Sequence, residues 1–139
     1  MSVSQISVFL ENKSGALANL TSTLSDNGIN IRAMSVAETS EFGIVRMITD
    51  DVYEATTVLK DAGFIAKFNR VIGVTIADEP GSLNEVINIL GNMGVDVEYM
   101  YAFLGGDKAD HANIILRVQD IDAAENALRN AGLELLEWE

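Results

Sequence analysis

Two short polar turns hold the residues of this chain that are best suited to bind a small charged molecule. The first spans residues 12–17 (NKSGAL) and the second spans residues 78–83 (DEPGSL). In each, a glycine comes just before apolar residues with helical spacing, which predicts a strand-to-helix turn with unpaired N–H groups at the helix start. Together with the helix dipole, such groups attract a carboxylate. Both turns are therefore predicted to recognise an anionic group.

Neighbouring side chains extend this prediction from an anion to a zwitterion. Gly15 has no Cβ and lets a ligand approach the backbone, while the side-chain oxygen of Asn12 is able to accept a hydrogen bond from an α-ammonium group. In the second turn Asp78 offers a full charge to the ammonium, and the N–H groups of residues 81–83 offer donors to the carboxylate. The ligand predicted for both turns is a free amino acid.

A purely structural interpretation stays open, because a tight connection from strand to helix commonly contains glycine and a capping residue. Asn30 and Asp96 each follow a glycine and an apolar residue at the predicted start of a strand. We expect both on the side of the sheet near the first turn. There they either close the pocket or satisfy backbone groups at the strand start.

The two turns belong to a duplicated unit. Gly15 and Gly81 are 66 residues apart, as are Gly28 and Gly94, whereas residues 62–64 (AGF) return as residues 131–133 (AGL) at a distance of 69. The difference places a longer loop near residues 104–112. A repeat in fixed register indicates a copied supersecondary unit, so the predicted domains are residues 1–69 and 70–139.

Periodicity gives each copy the element order β-α-β-β-α-β. In the first copy, period-two alternation predicts strands near residues 5–10, 29–37 and 43–49 and a fourth over 64–68. Ser14 is the expected cap of the first helix, and Asp50 or Asp51 that of the second. The second copy is expected to begin with a strand from Ile72 to Ile76 and to have Asp120 and Asp122 at the start of its second helix, where acidic residues cap and complement the dipole. The fold class is therefore α+β, with two ferredoxin-like βαββαβ units whose antiparallel sheets carry helices on one face.

Apolar residues are also expected on the sheet face that the helices leave open. These are Phe9, Met34, Val36 and Met100. Since a contiguous apolar sheet face is rarely left in water, the pattern favours a homo-oligomer, with a dimer as the simplest form.

Composition excludes several classes of function. The chain has 139 residues, no cysteine and a formal net charge of −12, which opposes binding to nucleic acid and to anionic membranes. It contains no apolar run approaching the ~20 residues of a membrane span and no pattern of a signal peptide. We expect a cytoplasmic protein without disulfides.

Catalysis and metal binding find little support in the sequence. His111 is the one side chain whose unperturbed pKa suits a base near neutral pH, and it lies beside Asp107 and Asp110 in the longer loop of one copy only. A solvated hairpin explains this trio better than a metal site does, since no second His or Cys completes a ligand set. We expect no enzyme, no metal and no cofactor.

The two motifs, each followed by residues 28–31 (GINI) or 94–97 (GVDV), resemble the ACT domain. This small regulatory module is attached to aspartate kinase, to phosphoglycerate dehydrogenase and to the small subunit of acetohydroxyacid synthase. The resemblance covers essentially the whole chain. It implies that an amino acid is held between paired modules, by the first turn of one module and the second-strand start of the same module or its neighbour.

The turns and the resemblance together define one set of predicted ligand-binding residues. They are Asn12, Lys13, Ser14, Gly15, Ala16, Leu17, Asn30, Ile31, Asp78, Gly81, Ser82, Leu83, Asp96 and Val97. Asp96 departs from the Asn usual at its position, and the acidic residues 78–79 oppose a carboxylate. The second site is therefore expected to bind more weakly or to prefer a more positive ligand.

The leading hypothesis is a non-catalytic regulatory protein that senses a free amino acid in amino-acid metabolism. The alternative is a regulatory subunit that docks on a catalytic partner, similar to the small subunit of acetohydroxyacid synthase. A small enzyme on a ferredoxin-like scaffold is a third class, but neither turn supplies a nucleophile or base for it.

Overall fold

The computed structural model describes residues 3–11, 13–38, 42–103 and 109–137. The chain divides into two compact units between Asn69 and Arg70, and Val3 groups with the second unit. Each unit has its own hydrophobic core, so each is described by itself.

The first unit contains two helices and a four-stranded sheet in the order β2-β3-β1-β4. β3 pairs antiparallel with both β1 and β2, so that β1 and β2 run in the same direction. The element bounds are β1 (Val3–Glu11), α1 (Ala16–Asp26), β2 (Ile31–Glu38), β3 (Phe42–Thr49), α2 (Val52–Asp61) and β4 (Ile65–Ala77).

The second unit repeats this arrangement. The second part of β4 pairs antiparallel with β6 and β7, and β6 pairs antiparallel with β5. The remaining elements are α3 (Ser82–Asn92), β5 (Tyr99–Phe103), β6 (His111–Arg117), α4 (Ile121–Asn130) and β7 (Glu134–Leu135). Two ferredoxin-like units with antiparallel sheets were predicted, and this prediction is confirmed.

The boundary between the units falls inside a strand. The sequence predicted two strands, over residues 64–68 and from Ile72 on, but β4 runs without interruption from Ile65 to Ala77. No glycine or proline stands in residues 65–72 to bend the backbone. The last strand of the first copy therefore continues directly into the first strand of the second.

Alternation along β1 builds the first core. Ile6, Val8 and Leu10 are buried and pack with Leu20 and Leu24 of α1. The intervening Phe9 points away and stays 42 % exposed, as expected for a strand with one face on the core. The second core repeats the pattern with Ile72, Val74, Ile76, Val86 and Leu90.

The predicted open face is confirmed in part. Phe9 is exposed on that face, but Met34, Val36 and Met100 lie on the face that the helices cover. They stand directly opposite the core residues Met47, Val45 and Leu116, and directly opposite residues of an antiparallel pair point to the same face. A register shift between Ile31 and Ala33 interrupts the pairing of β2 with β3 just ahead of Met34. Such a bulge changes which side chains face the core, so simple alternation from the strand start misplaces Met34.

The second helix of each unit begins with an aspartate cap. The Asp51 side chain accepts a hydrogen bond from the Glu54 N–H at 3.1 Å, and the Asp120 side chain accepts one from the Ala123 N–H at 3.1 Å. Both caps were predicted from the sequence. Among the described residues, no helix combines the length and the hydrophobicity needed to cross a lipid bilayer.

An ion pair between a half-exposed arginine and a buried glutamate links β4 to α4 in the second unit. The Arg70 Nη2 lies 2.9 Å from Asp122 Oδ1 and 3.1 Å from Glu125 Oε1, and the Glu125 side chain is only 4 % exposed. The hydrogen bond to Asp122, followed by the charges of both carboxylates, raises the pKa of Arg70 above its ordinary value. Arg70 therefore stays charged at every physiological pH.

Glu125→Gln is expected to lower the free energy of unfolding by about 1–3 kcal/mol, because the buried partner of a charge-assisted hydrogen bond loses its charge. Asp122→Asn is the matched control, since it removes a 78 % exposed carboxylate bound to the same Arg70 nitrogen, and surface pairs contribute about 0–1 kcal/mol. Urea denaturation of both variants measures the difference. Equal losses would contradict the assignment of Glu125 as the structural partner.

Candidate functional site

Both predicted turns start a helix on a left-handed glycine. Gly15 has φ of 85° and is the N-cap of α1, and Gly81 has φ of 93° and is the N-cap of α3. Neither helix has a side-chain cap, so the expectation that Ser14 caps α1 is wrong. A left-handed residue is favoured only where Cβ is absent, and this requirement places the helix start at Gly15 instead of Ser14.

Backbone hydrogen bonds hold the first turn in shape. The Lys13 N–H donates to the Glu11 carbonyl at 2.9 Å, the Ala16 N–H donates to the Lys13 carbonyl at 3.3 Å, and the Asn19 N–H donates to the Gly15 carbonyl at 3.0 Å. The Ala16 amide is thus already engaged within the turn. The next two amides of α1, those of Leu17 and Ala18, have no acceptor within the helix. They are therefore the N–H groups available to a ligand.

The second turn repeats these bonds one for one. The Glu79 N–H donates to Ala77, the Ser82 N–H to Glu79 and the Glu85 N–H to Gly81, at 3.0, 3.3 and 3.0 Å. The duplication therefore preserves the backbone frame in detail.

A cavity of about 370 Å³ lies beside the first turn, within the first unit. Its apolar wall consists of Phe9, Leu10, Phe42, Phe64 and Ile65. Its small and polar lining consists of Glu11, Lys13, Ala16, Asn19 and Gly63. We call this space the first cavity. Small-molecule sites are commonly concave and apolar with a few polar groups, and the first cavity has this character.

A cavity of about 270 Å³, the second cavity, lies at the corresponding place in the second unit. Its ten lining residues match those of the first cavity one for one, at the repeat distance of 66 residues as far as Asn19 and of 69 residues from Phe42 on. They are Thr75, Ile76, Ala77, Glu79, Ser82, Glu85, His111, Gly132, Leu133 and Glu134. The two cavities thus use the same backbone positions but differ in their side chains. The lining is mostly apolar in the first copy and acidic in the second.

Asn30 and Asp96 lie far from the first turns, contrary to expectation. Asn30 follows α1, whose 11 residues extend about 16 Å, and it lines a separate cavity with Gly28 and Ile31. Asp96 lies at the same place after α3, in a cavity with Gly94. The physical reason is that β1 and β2 run in the same direction. The end of β1 and the start of β2 therefore lie at opposite ends of the strands, next to Phe42 and Thr49 of β3 respectively.

Most of the other predicted ligand-binding residues lie outside both cavities. Leu17 and Leu83 are about two-fifths exposed at the start of their helices, and the Asp78 N–H donates to the Asp110 carbonyl at 2.9 Å. Val97 packs against the second core. Asn12 lies outside the described residues. Of the fourteen predicted positions, the structure brings Lys13 and Ala16 together in the first cavity and Ser82 into the second.

His111 lines the second cavity, and its Nδ1 is 2.9 Å from the Ala109 carbonyl oxygen. Asp107, the third member of the weighed metal trio, lies outside the described residues. Within the ranges that the structure describes, no group of three His, Cys, Asp or Glu side chains is placed to hold a metal ion.

Sequence reasoning missed the far wall of the first cavity. Phe42 begins β3, and Gly63 to Ile65 join α2 to β4, so they meet the first turn only through tertiary packing. One signal was available. Residues 62–64 recur as residues 131–133, and this repeated turn lines both cavities.

Comparison with known proteins gives a family match over almost the whole chain. The family model described as the ACT domain pair matches residues 1–138. No curated protein matched in a sequence search.

Several solved structures are similar to this chain. The crystal structure of protein BT0572 from Bacteroides thetaiotaomicron is 37% identical with a TM-score of 0.90, and the match covers 98% of this chain and 92% of that chain. The regulatory subunit of aspartate kinase from Thermus thermophilus, in its ligand-free form, is 16% identical with a TM-score of 0.65 and coverage of 94% and 93%. That from Thermus flavus is 15% identical with a TM-score of 0.64 and coverage of 95% and 94%. At 15–16% identity the likeness shows a shared fold.

Gly81→Ala is expected to lower the free energy of unfolding by about 1–2 kcal/mol, because a Cβ is unfavourable in the left-handed region. The matched control is Gly91→Ala in the last turn of the same helix, where nothing lies within 4 Å of the added Cβ and alanine is favoured over glycine by up to about 1 kcal/mol. Thermal or urea denaturation separates the two. A loss in both variants would contradict the role given to the left-handed turn.

Proposed function

Because the chain belongs to the family of ACT domain pairs, we propose that it is a non-catalytic regulatory protein that binds a free amino acid. The observation that carries the proposal is the uncapped, glycine-started helix with a cavity beside it, which occurs in both units. A helix start without a side-chain cap leaves its amides and dipole available to a carboxylate. A cytoplasmic location is part of the proposal, since free amino acids are abundant there.

The ligand-binding residues of the proposal are those of the two turns, together with the residues that follow α1 and α3. Since residues 12–17 and residues 30–31 stand at opposite ends of α1, one small ligand is too short to touch both within one unit. We therefore include a homodimer in the proposal, in which the α1–β2 turn of a second copy completes the pocket. Ligand binding and pairing of chains then favour each other.

A second candidate function is supported by exposed apolar side chains. Tyr53 and Phe68 are 66 % and 45 % exposed, and their rings meet edge to face with centroids 5.4 Å apart. A surface of this kind is suited to a protein partner, as in a regulatory subunit docked on an enzyme of amino-acid metabolism. Such a subunit would retain one enzyme in a pull-down without added amino acid, whereas a sensor that responds through its own oligomer would not.

A thermal-shift screen of the twenty amino acids tests the leading proposal. At a ligand concentration of about 100 Kd, binding to the folded state alone adds about 2.7 kcal/mol, which is a rise of several degrees in Tm. The expected result is that a subset of amino acids raises Tm and the remainder do not.

Ala16→Glu is expected to abolish this rise, because it places a bulky carboxylate in the lining of the first cavity. Ser22→Glu is the matched control, since it adds the same charge to the same helix at an exposed position outside the cavity and beyond the helix-start amides, and it should keep the rise. If no amino acid stabilises the unchanged protein, the proposed function is wrong.

A further inference from the structure

We propose that the first cavity takes an amino acid with an apolar or aromatic side chain, and that the second cavity does not bind this class of amino acid. The chain then binds one such amino acid per copy, although the frame of the site is present twice. The inference rests on the proposed function and names the class of its ligand.

Apolar side chains form the part of the first cavity that is open to water. Phe9, Phe42 and Ile65 are 42 %, 53 % and 63 % exposed, and Phe64 is half-buried beside them. A ligand side chain that covers these groups removes apolar surface from water on both partners, which favours binding. A volume of about 370 Å³ is at the lower end of the range of small-molecule sites and suits a single amino acid.

Two opposite charges stand at the polar side of the same cavity. Lys13 Nζ lies 3.2 Å from Glu11 Oε2, and both side chains are about two-thirds exposed. The carboxylate of a zwitterion can pair with Lys13 and its ammonium with Glu11, so that each charge keeps an opposite partner when the ligand enters. An additional charge on the ligand side chain would lie against the phenylalanines without a partner, which is costly.

The second cavity has lost this pair of charges. Glu79 stands at the position of Lys13, and Ala77 stands at the position of Glu11. A ligand carboxylate there would meet a like charge where the first cavity offers an opposite one, and the carboxylate of Glu11 has no equivalent at Ala77.

The apolar wall is replaced as well. His111 stands at the position of Phe42, and Glu134 at that of Ile65, so a polar group and a carboxylate border the space that the first cavity lines with hydrocarbon. The second cavity is also smaller, at about 270 Å³. Neither the charges nor the walls that suit an apolar amino acid are present in the second copy.

Isothermal titration calorimetry of the full chain with L-phenylalanine, L-leucine, L-lysine and L-glutamate tests the inference. We expect phenylalanine or leucine to bind with one molecule per chain, and lysine and glutamate to bind at least tenfold more weakly. Two bound molecules per chain, or tighter binding of a charged amino acid, would overturn the inference and leave amino-acid binding intact. Failure of all twenty amino acids in the thermal-shift screen would instead remove the proposed function.

Exchange variants locate the site. Lys13→Glu and Ile65→Glu each give the first cavity the residue type of the second, and each is expected to weaken binding of the apolar amino acid at least tenfold. Glu79→Lys is the matched control in the second cavity and should leave affinity within twofold and stoichiometry at one. Circular dichroism checks that the exposed substitutions leave the fold intact. Unchanged affinity in Lys13→Glu, or a loss in Glu79→Lys, would show that the wrong cavity has been assigned.

Discussion

The left-handed glycine at the start of α1 and α3 is the constraint on which the proposed site depends. In the same two units, α2 and α4 begin with Asp51 and Asp120, whose side chains occupy a helix-start amide. The glycine of the other two helices offers no side chain to do this. The first helix of each unit thus starts without a side-chain cap, while the second helix of each unit has one. They are the helix starts whose amides remain available to a ligand.

Duplication has preserved this backbone and changed what surrounds it. The hydrogen bonds of the two turns match in partners and in length, and the two cavities use corresponding positions throughout. The side chains at those positions differ in charge and size, most clearly at Lys13 and Glu79. A backbone frame has to be kept for the unit to fold, whereas the lining side chains at the surface contribute little to stability. The lining was therefore free to diverge toward different ligands, or toward none.

Local features were predictable from the sequence, and those that depend on distant packing were not. The caps Asp51 and Asp120 are set by neighbours within three or four residues. The family resemblance is confirmed over nearly the whole chain. The continuity of β4 was missed because Asn69 is unfavourable in strands and takes the extended form that the strand segments on either side impose.

The errors in the site have the same origin. Residues 28–31 follow the first turn closely in sequence, but α1 lies between the two segments. β2 therefore starts at the end of the sheet strands opposite to the first turn. The cavity wall at Phe42 and at residues 63–65 was missed because it reaches the turn only through strand pairing. Register between strands cannot be derived from the spacing of residues along one of them.

The separation of the two kinds of turn along α1 also bears on regulation. A ligand of amino-acid size is shorter than the helix between residues 12–17 and residues 28–31, so it cannot contact both turns within one unit. In the proposed homodimer, binding energy gained at the second turn is available only when two copies are paired. By linkage, the factor by which pairing raises affinity then equals the factor by which ligand raises pairing, with coupling energies of about 1–3 kcal/mol in comparable systems. In the proposed sensor this linkage alone converts the concentration of an amino acid into a change of assembly.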